Sequence, residues 1–404
     1  MGTLPDLQER ETSSAWLQAE LDRFDPHEDC RKARTPPWTW YSDSRFLALE
    51  DTCIFGKSWQ AVAHSGQFTQ VGDCYASTFL GRPFVIVRGE DHKLRAFYNV
   101  CAHHAAEVVT TEQSCQQLVC PYHGWTYDLN GRLTRAPGLG AQDGFDPKQF
   151  GLRPIAVAEW GPLVFLHFGE TPPDLAAELS PLRARLDAMG FDNLQFVTRR
   201  EYRLQCNWKV FVDNYLDGGY HVAAVHPGLA GQLNLDDYRT ELFDRFSIQS
   251  CDANQPNKSS GGEANANGAD FAERIGGGSI YAWLYPNLMI NRYGPMMDVN
   301  WVLPVSPSET LTVFDYYFEP EYIPNGYPQH DSDSAESAQQ ADFIHRSLVA
   351  SHQVQVEDVG VCESVQRGLQ AGIFSGGRYA SMELGEHHFH QLVWNALSAG
   401  IASE

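Results

Sequence analysis

The chain has 404 residues, 43% of them hydrophobic and 20% charged, with a formal charge of −22. That is enough apolar content for two or three packed domains and too much for a disordered chain. A surface this acidic repels phosphate backbones and anionic bilayers, so neither nucleic acid nor a membrane is an expected partner, and no apolar run reaches the ~20 residues of a spanning helix. Nine cysteines, an odd number scattered through a long chain, are not a disulfide framework and point to a reducing compartment. The opening Met1-Gly2-Thr3-Leu4-Pro5-Asp6 lacks the basic and apolar regions of a signal peptide, and Glu9 and Glu11 make it too acidic for a transit peptide. With Asp6 where a myristoylation motif carries Ser or Thr, N-myristoylation is not expected. The expected setting is soluble and intracellular: the cytoplasm, or a chloroplast stroma if a transit peptide has been removed.

In chain order, residues 1–45 read as a helical lead-in closing on Pro36-Pro37-Trp38-Thr39-Trp40. From about Trp59 to Gly169, short runs such as Phe84-Val85-Ile86-Val87 and Arg95-Ala96-Phe97-Tyr98-Asn99-Val100 sit between Gly, Asp and Asn, the pattern of a small all-β domain. Leu175, Leu179, Leu182 and Leu186 recur at helical spacing in a connector over 170–195. A strand is expected over Thr198–Leu204 and a helix over Asn207–Ala224. The Asn-, Ser-, Gly- and Ala-rich stretch 252–279 reads as a flexible surface insertion. Strands follow over Ile280–Leu284, Met297–Leu303 and Leu311–Phe318, then a polar loop over 325–338, a long helix over 339–369 and a shorter one over 386–400. The predicted organisation is α+β: the lead-in (1–45), a small β domain with flanking segments (46–170), and a larger domain (171–404).

The strongest motif is Cys101-x-His103 followed by Cys120-Pro121-Tyr122-His123-Gly124-Trp125. Two thiolates suit one ferric ion of a [2Fe–2S] cluster; two neutral imidazoles on the other lower the negative charge and raise the potential, which is Rieske-type ligation. Each Cys/His pair sits on one tight loop and supplies one ligand to each iron. Gly124 permits the second turn, and Tyr122 is placed to donate a hydrogen bond towards a cluster sulfur. A structural zinc site is the competing reading, but zinc modules usually pair Cys with Cys and His with His. His104 reads as a bystander with its ring on the other side of the loop, and Cys115 as a packed thiol.

The second constellation is His221 and His226, five residues apart at the end of the helix over Asn207–Ala224. Two imidazoles and a carboxylate form the facial triad of non-heme Fe(II) oxygenases. Asp358, inside an otherwise apolar helical stretch where an unpaired carboxylate is costly, is the candidate carboxylate. Asp217, one turn before His221, is placed to accept a hydrogen bond from a metal-bound imidazole. Each of these residues alone reads as packed or solvated; the upstream cluster makes them a working unit, a one-electron carrier beside a mononuclear iron.

With these motifs the chain resembles the Rieske non-heme iron oxygenase α subunits from about residue 35 to 395. More narrowly it is similar to the plant-type choline monooxygenases. The similarity is carried by Asp213-Asn214-Tyr215-Leu216-Asp217-Gly218-Gly219-Tyr220-His221, by Tyr285-Pro286-Asn287-Leu288-Met289-Ile290-Asn291-Arg292-Tyr293-Gly294-Pro295, by the run Glu357 to Leu369, and by His387-His388-Phe389-His390. The resemblance implies a small all-β Rieske domain followed by a helix-grip (START-like) catalytic domain built on an antiparallel sheet. It implies one [2Fe–2S] cluster and one Fe(II) per subunit, and a homotrimer in which the cluster of one subunit serves the iron of its neighbour. The bridging carboxylate maps to Asp217, between His123 of one subunit and His221 of the next, with Asn214 beside it in the catalytic set. Many relatives place that acid three residues before the first iron histidine, where this chain has Gly218, and Arg after the first cluster histidine, where it has His104.

The implied reaction is O₂ activation with insertion of one oxygen atom into a C–H bond. There is no Gly-rich dinucleotide fingerprint and no plant-type ferredoxin cysteine set, so electrons must come from a separate ferredoxin or reductase. A choline-like substrate carries a quaternary ammonium with no hydrogen-bond donor, which an aromatic cage recognises; Tyr281, Trp283, Tyr285, Tyr293 and Trp301 are the candidates, the first three sharing one strand face. The expected product of choline is betaine aldehyde as its hydrate. Alternatives are another substrate (N-demethylation of a carnitine- or betaine-like compound, or aromatic hydroxylation) and, in a different class, a Rieske electron carrier without oxygenation.

Overall fold

Between Gln60 and His167 apolar runs are cut by glycine and Asp/Asn turns, and each run becomes a strand. The computed structural model describes residues 7–139, 144–226, 237–252, 278–327 and 335–403. It divides into two compact units, Gly56–Ser180 and a second made of Met1–Phe55 with Pro181–Glu404. Among the described residues no helix is long and apolar enough to cross a membrane.

The first unit holds β1 (Gln60–His64), β2 (Asp73–Phe79), β3 (Arg82–Arg88), β4 (Leu94–Tyr98), β5 (Gln113–Ser114), β6 (Leu118–Val119), β7 (Thr126–Tyr127), β8 (Leu133–Arg135), β9 (Pro154–Trp160) and β10 (Leu163–His167). They form a seven-stranded sheet in the order β1-β10-β9-β4-β3-β2-β5 and a three-stranded sheet β6-β7-β8. The core between them contains Val85, Val87, Phe97, Trp125 and Tyr127 and also buries Cys101 and Cys120. Two loops, one after β4 and one between β6 and β7, are thus anchored by their cysteines.

The second unit is built on one antiparallel sheet in the order β11-β17-β16-β15-β14-β13-β12. Its strands are β11 (Gln195–Leu204), β12 (Arg239–Leu242), β13 (Phe246–Asp252), β14 (Gly278–Leu284), β15 (Leu288–Tyr293), β16 (Met296–Ser306) and β17 (Glu309–Phe318). Its helices, with the short one at the unit boundary, are α1 (Leu7–Leu21), α2 (Thr39–Ser42), α3 (Ser44–Cys53), α4 (Leu175–Glu178), α5 (Ser180–Asp187), α6 (Trp208–Leu216), α7 (Val222–Val225), α8 (Ala335–Gln370) and α9 (Leu384–Ile401). Helix α8 lies against the sheet through Phe343 on Phe318, Ser351 on the Tyr316 hydroxyl at 2.9 Å and His352 on Tyr202 at 3.1 Å. From α9, Phe389 packs on both Trp208 and Trp283. The α+β class, with a small β unit and a sheet gripped by helices, agrees with the expectation.

Three expectations change in detail. The N-terminal lead-in is not a module of its own: residues through Phe55 join the larger unit, so the boundary lies near 56 rather than 46. The reason is a buried polar joint. Glu50 of α3, fully buried, pairs with the fully buried Lys209 ammonium and accepts a 2.7 Å hydrogen bond from Trp208 Nε1. The helix over Asn207–Ala224 is two pieces. Asn207 caps α6 by accepting from Lys209 N at 3.1 Å, and α6 stops because Gly218 and Gly219 have φ of 71° and 77°. A Cβ on Gly218 would meet Met382 O at 2.3 Å, so no side chain fits there. Finally, most of the insertion at 252–279 and part of the loop at 325–338 lie outside the described residues.

Candidate functional site

The β4–β5 loop carries Cys101 and His103, and the β6–β7 loop carries Cys120 and His123. The cysteines are 3% and 2% exposed, while His103 is half-buried and His123 exposed. The two imidazole rings are 4.7 Å apart, and His103 is stacked on Trp125 at 4.7 Å and 7°. His103 Nδ1 is buried with no hydrogen-bond partner, an orphan that a metal bond satisfies. Among the described residues, the groups of three or more ligand atoms that lie within 4.8 Å of one another include none of these four side chains. A single tetrahedral zinc would hold its ligand atoms closer than that, whereas a two-iron cluster spreads them. The residues fit a Rieske cluster, thiolates inward and imidazoles towards solvent.

The hydrogen bond to a ligand sulfur comes from a different tyrosine than expected. Tyr122 is 64% exposed, with its ring against His123. Tyr127, fully buried, places its hydroxyl 3.3 Å from Cys101 Sγ and accepts from Ala102 N at 3.1 Å. Only the fold reveals it, since Tyr127 lies outside the ligand motif. Removing this donor in Tyr127→Phe withdraws stabilisation from the reduced, more negative cluster; the expected result is a lower midpoint potential in a redox titration with the visible spectrum retained. His104 is not turned away either: its ring centroid is 4.0 Å from that of His103 and 5.4 Å from that of His123. Cys115 is a packed thiol, 3.8 Å from Cys74 Sγ.

In the second unit, the break between α6 and α7 places His221 at the start of α7 and His226 just past its end. Asp358 projects from the middle of α8. One ligand atom from each of the three lies within 4.8 Å of the others: Asp358 Oδ1 is 3.0 Å from His226 Nε2 and 3.7 Å from His221 Nε2. Both imidazoles present Nε2 to one point and are held from behind through Nδ1. Asp217 Oδ2 is 2.6 Å from His221 Nδ1, and the same carboxylate accepts the backbone N–H groups of Gly219, Tyr220 and His221 at 2.8–3.1 Å. Glu357 Oε2 is 2.7 Å from His226 Nδ1. Asn214 Nδ2 donates to Asp358 Oδ1 at 2.9 Å. This donor set, two imidazoles and a carboxylate each oriented by a hydrogen bond, suits Fe(II).

Glu357 escaped the sequence reading because a carboxylate beside the ligand Asp358 on an amphipathic helix looks solvated. The bond from Gln353 Nε2 at 2.8 Å, and then that from His226, hold its pKa below the usual range. In His226, burial opposes the charged form but Asp358 and Glu357 outweigh it, and its pKa is raised. Glu357→Gln weakens the grip on the His226 tautomer; the expected result is a 10- to 100-fold loss of ferrous affinity, roughly the range for orienting partners, read by titrating metal-free protein with Fe(II).

Under α6 lies a second polar set. Tyr41 donates to Asp213 Oδ2 at 2.8 Å and lies 2.9 Å from His390 Nε2, whose Nδ1 is 2.7 Å from the Tyr379 hydroxyl. Burial, then Asp213, Glu383 and Asp217, push the nearby Glu386 acid well up. These bonds tie α2 and α9 to the helix that carries Asn214 and leads into Asp217.

The triad opens on a cavity of about 680 Å³, which Asp217, Asn214, Tyr215, Tyr238, Tyr281 and Tyr293 also line. Of the five expected cage aromatics, Tyr281 and Tyr293 line it. The other three are engaged elsewhere: Trp283 with the Pro286 carbonyl and Phe389, Tyr285 under Arg245, and Trp301 under Arg199.

Residues 58–150 match the Rieske [2Fe-2S] domain family, and residues 191–399 match the ring hydroxylating alpha subunit (catalytic domain) family. The chloroplastic choline monooxygenase of Arabidopsis thaliana is 42% identical over 93% of this chain and 86% of its own length. This chain belongs to the Rieske non-heme iron oxygenase α subunits. The carnitine monooxygenase oxygenase subunit of Escherichia coli (strain K12) is 30% identical over 90% of the oxygenase described here and 94% of its own length. The crystal structure of the quaternary ammonium Rieske monooxygenase CntA with L-carnitine superposes with a TM-score of 0.73 at 27% identity, covering 91% of this chain and 97% of that one. The oxygenase therefore uses a Rieske [2Fe–2S] cluster and a mononuclear iron; bound Fe(II) supplies O₂ activation, and the protein orients its ligands and shapes the cavity.

Proposed function

We propose that this oxygenase hydroxylates a small quaternary ammonium compound, choline before others, giving the hydrate of betaine aldehyde. The observation that carries the reading is one cavity lined both by His221, His226 and Asp358 and by tyrosines whose faces attract a cation without needing a donor on it. The 42% identity to a choline monooxygenase supports choline; the carnitine monooxygenases among the relatives keep attack on an N-methyl or a neighbouring carbon as the second reading.

Cys101, His103, Cys120 and His123 hold the cluster in this reading, and His221, His226 and Asp358 the iron. A separate ferredoxin or reductase supplies electrons one at a time. The oxygenase works as a homotrimer, with Asp217 bridging His221 and His123 of the partner subunit; support comes from the 2.6 Å contact of Asp217 with His221 and from a related quaternary ammonium Rieske monooxygenase described with inter-subunit electron transfer. A chloroplast setting follows the plant relatives, which are chloroplastic. The test is aerobic turnover of the iron-loaded protein with a reduced ferredoxin system, a panel of quaternary amines and mass detection of products. Betaine aldehyde from choline is the expected outcome; no product from any amine overturns the substrate class.

A further inference from the structure

The face that α8 turns to the cavity is polar where a packing helix is ordinarily apolar. Ser347, Ser351, Gln355 and Asp358 follow one another at spacings of four, four and three residues, a single helical stripe, and all of them line the cavity on which the triad opens. Breaks of this kind in the apolar pattern are expected at functional sites. Ser351 has a partner in the Tyr316 hydroxyl at 2.9 Å, and Asp358 is held by Asn214. Gln355 differs. It is 2% exposed, and among the described residues its Nε2 is buried without a hydrogen-bond partner. A buried donor left unpaired carries the cost of its lost hydration, and a ligand oxygen that accepts from it removes that cost.

Gln355 lies one helical turn before Asp358 on the same face, and residues so placed stand roughly 5–6 Å apart at Cβ. A second orphan on the cavity wall is of the opposite kind. Gln249 of β13, 1% exposed, donates through Nε2 to the Tyr215 carbonyl at 2.9 Å, and its Oε1 is a buried acceptor without a partner among the described residues. Tyr215 and Tyr281, the cross-strand neighbour of Gln249, both line the cavity. The wall thus carries an acceptor beside the tyrosines and a donor beside the triad. A quaternary ammonium alcohol has the matching ends. Its cation is attracted by ring faces and carbonyl oxygens, and its hydroxyl oxygen offers lone pairs to an N–H.

We propose that Gln355 is a specificity-determining residue whose Nε2 donates to the hydroxyl oxygen of the substrate and so presents the hydroxyl-bearing carbon, rather than an N-methyl group, to the triad. This rests on the quaternary-ammonium reading above and adds to it the contact that selects an alcohol and the carbon that is attacked. The alternative is a structural amide, or one whose N–H is taken by water whatever ligand is bound; the substrate hydroxyl then adds nothing to binding through it.

The test is anaerobic isothermal titration of the iron-loaded full chain with choline and with ethyltrimethylammonium, in which hydrogen replaces the hydroxyl. Choline is expected to bind roughly 10- to 100-fold more tightly, the range for pairing one buried donor against leaving it unpaired. Gln355→Met keeps the length of the side chain and removes the amide. The preference is then expected to fall below about threefold, because choline alone weakens. Equal weakening of both ligands, or a preference that survives, overturns the proposal and leaves the quaternary-ammonium reading standing. The products of aerobic turnover are a second readout: with the hydroxyl unanchored, attack on an N-methyl group, which releases formaldehyde, is expected to rise against betaine aldehyde, and an unchanged partition overturns the positioning. If the variant does not fold, the wild type decides: the preference for choline supports the contact, and equal binding of the two ligands overturns it. If the wild type binds neither, both readings fall together.

Discussion

Replacing His221 by Ala abolishes turnover, by on the order of 1000-fold or more, while the reduced Rieske cluster keeps its EPR signal. The imidazole supplies one of three ligand atoms that converge within 4.8 Å, and the neighbouring carboxylate Asp217 is not free to replace it, since it already accepts three backbone N–H groups besides the His221 ring. In the proposed site, loss of the ring leaves two ligands for the iron and frees one face of the loop that Asp217 organises. The proposed cluster ligands lie in the other compact unit, Gly56–Ser180, so the EPR signal reads the cluster separately from the iron triad. Retained turnover would show that the oxygen chemistry does not occur at this triad and that the mononuclear site lies elsewhere.

Glu50→Ala destabilises the catalytic unit by about 3–5 kcal/mol, the cost of leaving a buried charge without its partner. Lys209 has no exposure at all. Burial already pushes its pKa down, and Glu50 works the other way through charge and hydrogen bond. Without Glu50 the ammonium must either lose its proton or remain buried unpaired, and the Trp208 Nε1–H loses its acceptor as well. Both residues begin α6, so the strain reaches Asn214 and the Asp217 turn. Denaturant unfolding followed by tryptophan fluorescence reads the loss. The double variant Glu50→Ala with Lys209→Met should recover much of it, because the uncompensated charge is gone; an unchanged midpoint in Glu50→Ala would mean that the pair does not hold the N-terminal segment to the catalytic unit.

The sequence by itself determined the class of chemistry and its cofactors, and it named the candidate ligands. Cys101-x-His103 and Cys120-Pro121-Tyr122-His123 are close in the chain and confined to two tight loops, so spacing alone encodes their geometry. His221 and His226 are equally local, and α8 and α9 were legible because long helices repeat their apolar pattern over many turns. Tertiary structure alone decided what depends on distant partners. Asp358 is named from the sequence as a candidate, but its meeting with the histidines depends on α8 packing beside α6. Glu357 becomes a partner of His226 by the same packing. Tyr127 rather than Tyr122 meets Cys101 because the β7 strand turns its hydroxyl inward, while the loop leaves Tyr122 in solvent. The aromatic set divided in the same way. Alternation along β14 predicts a shared face for Tyr281, Trp283 and Tyr285, but not that Phe389 of α9 covers Trp283 while Tyr281 is left lining the cavity. Local spacing carries information about ligands a few residues apart; which face becomes core and which becomes cavity is settled by the element that packs on it.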